Sequence, residues 1–354
     1  SQVFVISKGN MMKRRTLGIL AVVLAVILLG LGSFRYYIQT SAFMEMAGQT
    51  VSTAVSESLG VQVDVGDIQV KSLHDLEIHN LAIYDKQAEL IARADKAQVT
   101  YRLFSALSAP ADMVKEVVVS DVTATIRQRQ DGSWNVQDLM SGTSSAQKFH
   151  GKVRVERATM TGQMKGKEVT LTDAAGTLDC ADYPVMRFEA AASNQGSAVE
   201  ASGTVSSDRQ IVTAKVDALD LTDYLGWIPE GTIPDTVTVK GGKVQNMVLH
   251  VFRDGSTLSF SGETDFSDGA VNVLGTDITA IHGHSAFTDR EALVFVDAEA
   301  AGQKANAHGK IRLDTGTPYL DLTVSSSAFG PSKILNNIPA QGSVSFEAAV
   351  KGPL

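Results

Sequence analysis

The spacing of apolar and polar positions along this chain changes character twice. Leu17–Phe34 is apolar without interruption and carries no charge. At about 1.5 Å of rise per residue a helix of that length covers roughly 27 Å, close to the ~30 Å of a hydrocarbon core. Lys13, Arg14 and Arg15 precede the run, and Phe34, Arg35, Tyr36 and Tyr37 close it. These flanks predict one transmembrane helix over 17–34, with residues 1–16 cytoplasmic and the rest of the chain outside the cytoplasm. The rival reading is a cleaved signal peptide, whose apolar run of about 7–15 residues ends at a small-x-small site. Here Arg35-Tyr36-Tyr37 occupies that place, so an uncleaved anchor is expected.

Next, Ser41–Leu59 has apolar residues at three- and four-residue intervals (Met44, Ala47, Val51, Ala54, Val55, Leu59), which predicts an amphipathic helix ended by Gly60. From Val61 the period becomes two. Val61, Val63 and Val65 alternate with Gln62 and Asp64, and Leu76 and Ile78 alternate with Glu77 and His79. Asn80 then shifts the phase before Leu81 and Ile83, which resembles a bulge. A second slip falls at Ser120-Asp121, within the alternating run 117–126. Beyond residue 150 almost every segment reads as a short strand, including 168–171, 186–191, 199–205, 211–216, 236–239, 248–252, 258–262 and 270–274, with Gly, Asp, Asn and Ser between them. Short helical segments are expected at Phe104–Leu107, Val136–Met140, Leu221–Trp227 and Lys333–Asn336. A weak repeat is visible: Gly203, a strand and Ile228-Pro229 recur in the same order as Gly309, a strand and Ile338-Pro339. The pattern stops in mid-repeat at Leu354, which suggests a longer protein, truncated here at the C-terminus.

Each alternating strand has one apolar face, and helices, a second sheet or a ligand must cover it. Amphipathic helices are almost lacking after residue 60, and aromatic residues make up only 6% of the chain. Val, Ala, Leu and Ile at the apolar positions suit a curled sheet with a groove for acyl chains. From pattern alone a closed β-sandwich array remains equally open. Residues 1–16 contain no acidic residue, so the external region is more acidic than the net −8 of the whole chain. That charge argues against nucleic acid as a partner. Cys180 is the single cysteine, which excludes an intramolecular disulfide framework. Residues 1–10, upstream of Met11-Met12, read as an extension outside the fold.

Little here points to catalysis. His282-x-His284 sets two imidazoles on one strand face, where zinc could bind, but no third ligand lies nearby and solvent-facing histidines are expected. Gly162–Lys167 is one residue short of a phosphate loop and is followed by Glu168. Asp217, Asp220 and Asp223 lack calcium-loop spacing, and Asp220 or Thr222 is placed to cap the helix at 221–227. G-x-S-x-G and H-E-x-x-H are missing. The expectation is a non-enzyme without cofactor or metal.

Residues 117–139 read VVVSDVTATIRQRQDGSWNVQDL, closing on Asp131-Gly132-x-Trp134-Asn135 and Leu139. With the N-terminal anchor, Leu59-Gly60, Val65-Gly66-Asp67-Ile68, Leu81–Asp85, Ala92–Asp95 and Tyr101–Phe104, this resembles the N-terminal module of the AsmA-like/TamB proteins. The likeness covers residues 13–140, marking 38–140 as an AsmA-like module, and is only architectural over 150–354, the repetitive β-groove region. In physical terms Asp131-Gly132 makes a tight turn, Trp134 covers an open sheet end and Asn135 caps the helix at 136–140. What the resemblance implies is a mainly β protein of the inner membrane of a diderm bacterium: one transmembrane helix, then a long curled, repetitive β-sheet groove in the periplasm with a few short helices. Such a protein would conduct phospholipid toward the outer membrane. Its alternative role is a scaffold for outer-membrane proteins, acting with an Omp85-type barrel through a C-terminal domain absent here. The expected lipid contacts are Val117, Val119, Val122, Ala124 and Ile126, which share one face only if a bulge sits at Ser120-Asp121.

Overall fold

The computed structural model describes residue 56 and residues 61–72, 74–102, 114–136, 150–227, 233–313, 317–330 and 342–353. The expected membrane span at 17–34, the body of the helix at 41–59, and the short helices at 104–107, 137–140 and 333–336 lie outside the described residues. Among the described residues no helix is long and apolar enough to cross a membrane.

The rest is one mainly β sheet of 17 strands. Its first half comprises β1 (Val63–Val65), β2 (Ile68–Val70), β3 (Asp75–Tyr84), β4 (Leu90–Tyr101), β5 (Val114–Arg127), β6 (Lys152–Met164), β7 (Lys167–Asp179), β8 (Met186–Asn194) and β9 (Ser197–Val205). The second half comprises β10 (Arg209–Asp220), β11 (Val237–Asp254), β12 (Thr257–Val273), β13 (Thr276–Thr288), β14 (Glu291–Ala300), β15 (Gln303–Arg312), β16 (Tyr319–Phe329) and β17 (Val344–Pro353). Helix α1 (Leu221–Tyr224) and a 3-10 turn (Leu225–Trp227) join β10 to β11. Asp220 caps α1, its carboxylate accepting from the Thr222 amide at 2.9 Å.

From β3 onward each strand pairs with the next, and all these pairs are antiparallel except β5–β6, which is parallel and needs the crossover from 128 to 151. Two-residue hairpins at Lys165-Gly166, Gln195-Gly196, Leu274-Gly275 and Ala301-Gly302 have φ positive at both residues. That turn matches the right-handed twist of paired strands. The first of them is the stretch that approximated a phosphate loop. It joins β6 to β7.

Where a groove curled on itself was expected, the sheet is open and uncurled. Within the described residues β1 and β2 pair only with β3, and β17 only with β16. Alternation fixes the two faces of a sheet but says nothing of its curvature.

Several short strands expected from the pattern are the two ends of one long strand. Segments 236–239 and 248–252 both belong to β11, of 18 residues, and 258–262 and 270–274 to β12, of 17. Asn246 (φ 51°) in β11 and Asp268 (φ 53°) in β12 are left-handed residues that break the alternation without ending the strand. The same device crosses the first half of the sheet at one level. Asn80 (φ 57°), Asp121 (φ 56°), Arg157 (φ 54°) and Asp173 (φ 51°) lie in β3, β5, β6 and β7. At this level β4 pairs through Lys96 and Ala94 on both sides but not through Asp95. The edge is broken here too, at Gly66-Asp67. A Cβ on Gly66 would lie 2.5 Å from the His79 carbonyl oxygen, so only glycine fits. The result is a crease across the sheet, flanked by the buried small residues Ala94, Ala97, Ser120, Ala158 and Ala174.

The core is small. Ile68, Ile78 and Ala97 form a buried cluster, with Val65, Leu76, Val99 and Val119 packed against it.

Candidate functional site

Strand registration assembles one apolar face from residues far apart in sequence. Opposed residues in paired strands share a face, so a row can be followed across the sheet. It starts Ile68, Ile78, Ala97, Val119, Val155. It continues Gly176, Ala190, Ala201, Ala214, Leu249. It ends Gly262, Phe287, Ala292, Ile311, Leu320 and Gly352. Every member is apolar or glycine. The neighbouring row on the opposite face runs Glu77, Gln98, Val118, Arg154, Thr177, Glu189, Ser202, Thr213, His250, Ser261, and only Val118 is apolar. Among the described residues no second layer covers the apolar face, and most of its side chains are only half-buried.

The face deepens beside the crease. A cavity of about 490 Å³ is lined by Ile126, Met160, Leu171, Val199, Val216 and Leu219, with Trp134, Asn194 and Tyr224 at its edge. That size lies within the roughly 300–1,000 Å³ of ligand sites. A concavity of about 540 Å³ on the opposite face has charged residues, among them Arg154, Glu156, Glu189, Glu200 and Lys215, set between alanines and threonines. Of the two, only the first has no charged residue in its lining.

The five residues expected to touch lipid are all in β5, and the register places them on the apolar face. Val117 and Val119 pair with Val99 and Ala97, and Val122 and Ala124 with Ala94 and Ala92. Ile126 lines the cavity with Val199, two positions along β9 from Ala201 in the apolar row. Asp121, in the left-handed region, is the phase shift that brings both halves of β5 to one side. Val119 differs from the others in packing on the buried cluster. The sequence reading did not pick out Met160, Leu171, Val199, Val216, Leu219 or Tyr224. The signal for the first two was present: alternation also slips at Arg157 and Asp173, just as at Asp121.

The Asp-Gly-x-Trp-Asn motif closes the end of β5. Gly132 (φ 85°) donates its amide to the Arg129 carbonyl at 3.0 Å, and the Ser133 amide donates to Asp131 Oδ1 at 2.9 Å. Trp134 bridges to Gln128 and borders the cavity. Asn135 is buried. Its Oδ1 accepts from the Arg127 amide at 2.9 Å and its Nδ2 donates to the Thr125 carbonyl at 2.8 Å. Its side chain therefore ties down the β5 backbone; the segment it was expected to cap, beyond residue 136, lies outside the described residues. Leu139 lies outside the described residues. Beside the motif, Arg129 Nη2 is 2.8 Å from Asp85 Oδ2, a carboxylate with no solvent exposure. Burial pushes the Asp85 carboxyl up. The Arg129 hydrogen bond and the amides of Glu89 and Gln87 outweigh it, leaving the group below the usual carboxylate range.

The paired histidines face different carboxylates. His284 Nδ1 is 2.9 Å from Asp265, and His282 Nε2 is 3.8 Å from Asp297. Among the described residues no three His, Cys, Asp or Glu side chains are grouped to hold a metal. Cys180 is buried, which pushes its thiol pKa up.

Compared with protein-family models, with curated proteins and with solved structures, the chain matches none.

Proposed function

We propose that this chain is an AsmA-like/TamB-type lipid conduit, anchored in the inner membrane by residues 17–34, with its sheet in the periplasm carrying phospholipid toward the outer membrane. The observation that carries this reading is the apolar row from Ile68 to Gly352, which has no protein layer over it among the described residues. A bare face of that extent needs an occupant. Acyl chains suit its small aliphatic side chains: each methylene contributes about 0.8 kcal/mol on leaving water, so a tail is held by many small terms and can slide from strand to strand. In this reading the crease and the cavity beside it shape the lipid path along the open sheet, and no catalytic group or cofactor is used.

Native mass spectrometry of the full chain in mild detergent, with lipid extraction, tests it. Val119 is a poor probe because it packs on the buried cluster. Ala201→Asp charges the apolar row and Ser202→Asp charges the opposite face one residue away. Copurified phospholipid lost in the first variant and kept in the second, with unchanged far-UV circular dichroism, is the expected result. Wild-type protein that is folded and free of lipid would overturn it.

A second reading, a scaffold for outer-membrane proteins working with an Omp85-type barrel, draws on β17. Its outer edge is unpaired among the described residues, and Val344 (51% exposed) and Val350 (42% exposed) stand open. Such an edge can accept an added strand. A lipid-free chain that captures an unfolded outer-membrane barrel would favour this role.

A further inference from the structure

The apolar cavity has a polar antechamber. A second cavity, of about 350 Å³, shares Val169, Asn194 and Tyr224 with the first and is otherwise lined by Lys167, Glu168, Thr170, Gln195, Thr222 and Asp223. The residues the two cavities share are held in place. Asn194 is 6% exposed; its Oδ1 accepts from the Tyr224 hydroxyl at 2.9 Å and its Nδ2 donates to the Thr170 carbonyl at 3.2 Å. Burial pushes the Tyr224 hydroxyl up, so it stays protonated as that donor. The stem of Lys167 lies along the 3-10 turn, where a Cβ on Gly226 would be 2.7 Å from Lys167 Cγ. The Lys167 ammonium has no partner among the described residues. Asp223 accepts a hydrogen bond from Gln195 at 2.9 Å, while the Glu168 carboxylate turns to the opposite face of β7, where it accepts from Gln163 at 3.1 Å.

We propose that these adjoining chambers are a station for a single zwitterionic phospholipid with a primary ammonium headgroup. One of its acyl chains enters the Met160–Leu219 cavity, its phosphate meets Lys167, and its ammonium meets Asp223. The proposal rests on the lipid-conduit reading. Charge complementarity selects the headgroup. Lys167 and Asp223 satisfy both charges of a zwitterion, whereas an anionic lipid with no ammonium leaves Asp223 facing its negative charge. The preference expected is about threefold, the order an exposed charge pair supplies.

The test loads the full chain in mild detergent with an equimolar mixture of phosphatidylethanolamine and phosphatidylglycerol of identical acyl chains and counts bound lipids by native mass spectrometry. Wild type should hold the ethanolamine lipid about threefold over the glycerol lipid. Asp223→Lys should bring the ratio to parity or reverse it. Lys167→Gln, a milder change on an exposed side chain, should lower occupancy by both lipids, and Leu219→Asp should empty the station of both. Equal loading of the two lipids, indifferent to Asp223→Lys, would overturn the headgroup assignment and leave the conduit standing. A wild-type chain that takes up neither lipid overturns both.

Discussion

The two ends of the sheet are built on different principles. Around β1–β7 the structure has something like an ordinary protein interior: the Ile68, Ile78 and Ala97 cluster, the buried Asp85–Arg129 pair, and Glu77, buried among Lys71, Lys96 and His79. From β11 to β17 the sheet is a single layer. There the charged pairs, such as Lys240–Asp277 and Lys351–Asp321, are about half exposed at both partners, and Leu258, Phe295 and Val344 stand open to solvent. The difference teaches where stability comes from. The first region is held by burial, whereas the second has strand pairing and partial cover from its neighbours. A surface without its own core is what a conduit needs, and the creased end supplies a fixed wall for it.

The largest break in this comparison should come from the buried ion pair. Removing one partner leaves a charge without compensation, which costs about 3–5 kcal/mol. Arg129→Leu is therefore expected to strip hydrogen-exchange protection from the β3–β4 turn and the end of β5. Adding Asp85→Asn should restore much of it, since the stranded charge is then gone. Breaking Lys351–Asp321 by Lys351→Met should leave protection of β16 and β17 unchanged, because exposed pairs contribute little. Equal losses at the two ends would mean that the two regions do not differ in this way.

A sharper comparison uses one residue type in one registered row. Ile78 is 4% exposed, while Ile311, on the same face, is only half-buried. Ile78→Ala should cost about 2–4 kcal/mol, from lost transfer energy and the cavity left behind. Ile311→Ala should cost about 1 kcal/mol, since its site opens to solvent and leaves no enclosed void. Denaturant titration with hydrogen exchange on β3 and β15 measures both.

How much of this was legible in the sequence follows from which interactions are local. Alternation identified the strands and their apolar faces, and two of the crease residues were visible: Asn80 and Asp121 each interrupt a clean period-two run. Asp220 as a helix cap was legible because a cap acts within two residues. The parallel pairing of β5 with β6 was not, because it depends on where the crossover at 128–151 returns the chain. Reading 236–239 and 248–252 as separate strands had a different, local origin. A left-handed residue reverses the phase and imitates a turn. The cavity was hidden for a third reason. It joins Ile126, Val199 and Leu219, which no periodicity connects, through register across five intervening strand pairings.

The smallest expected effect is a pH dependence confined to one end. Glu77 is held at about 2, chiefly by its hydrogen bond from Lys96, which outweighs the upward push of burial, with further help from Lys71 and Gln98. The ordinary value is 4.5. A carboxyl depressed by folding stabilises the native state fully above its unfolded value, and that contribution fades as pH falls toward the folded value. Protection along β2–β4 should therefore decline between pH 4.5 and about 2. Glu77→Gln should flatten that decline, as it removes the titrating group and keeps the shape of the side chain. At the other end Asp265 and Asp277 are also lowered, by Asn246 and His284 and by Lys240 and Asn272, but Asp277 is solvent-exposed and Asp265 about half exposed. Their pairs are screened by water and salt, so β12–β13 should lose less over the same interval. Hydrogen exchange across the acid range decides it. If β12–β13 loosened before β2–β4, burial would not be what distinguishes the two ends of the sheet.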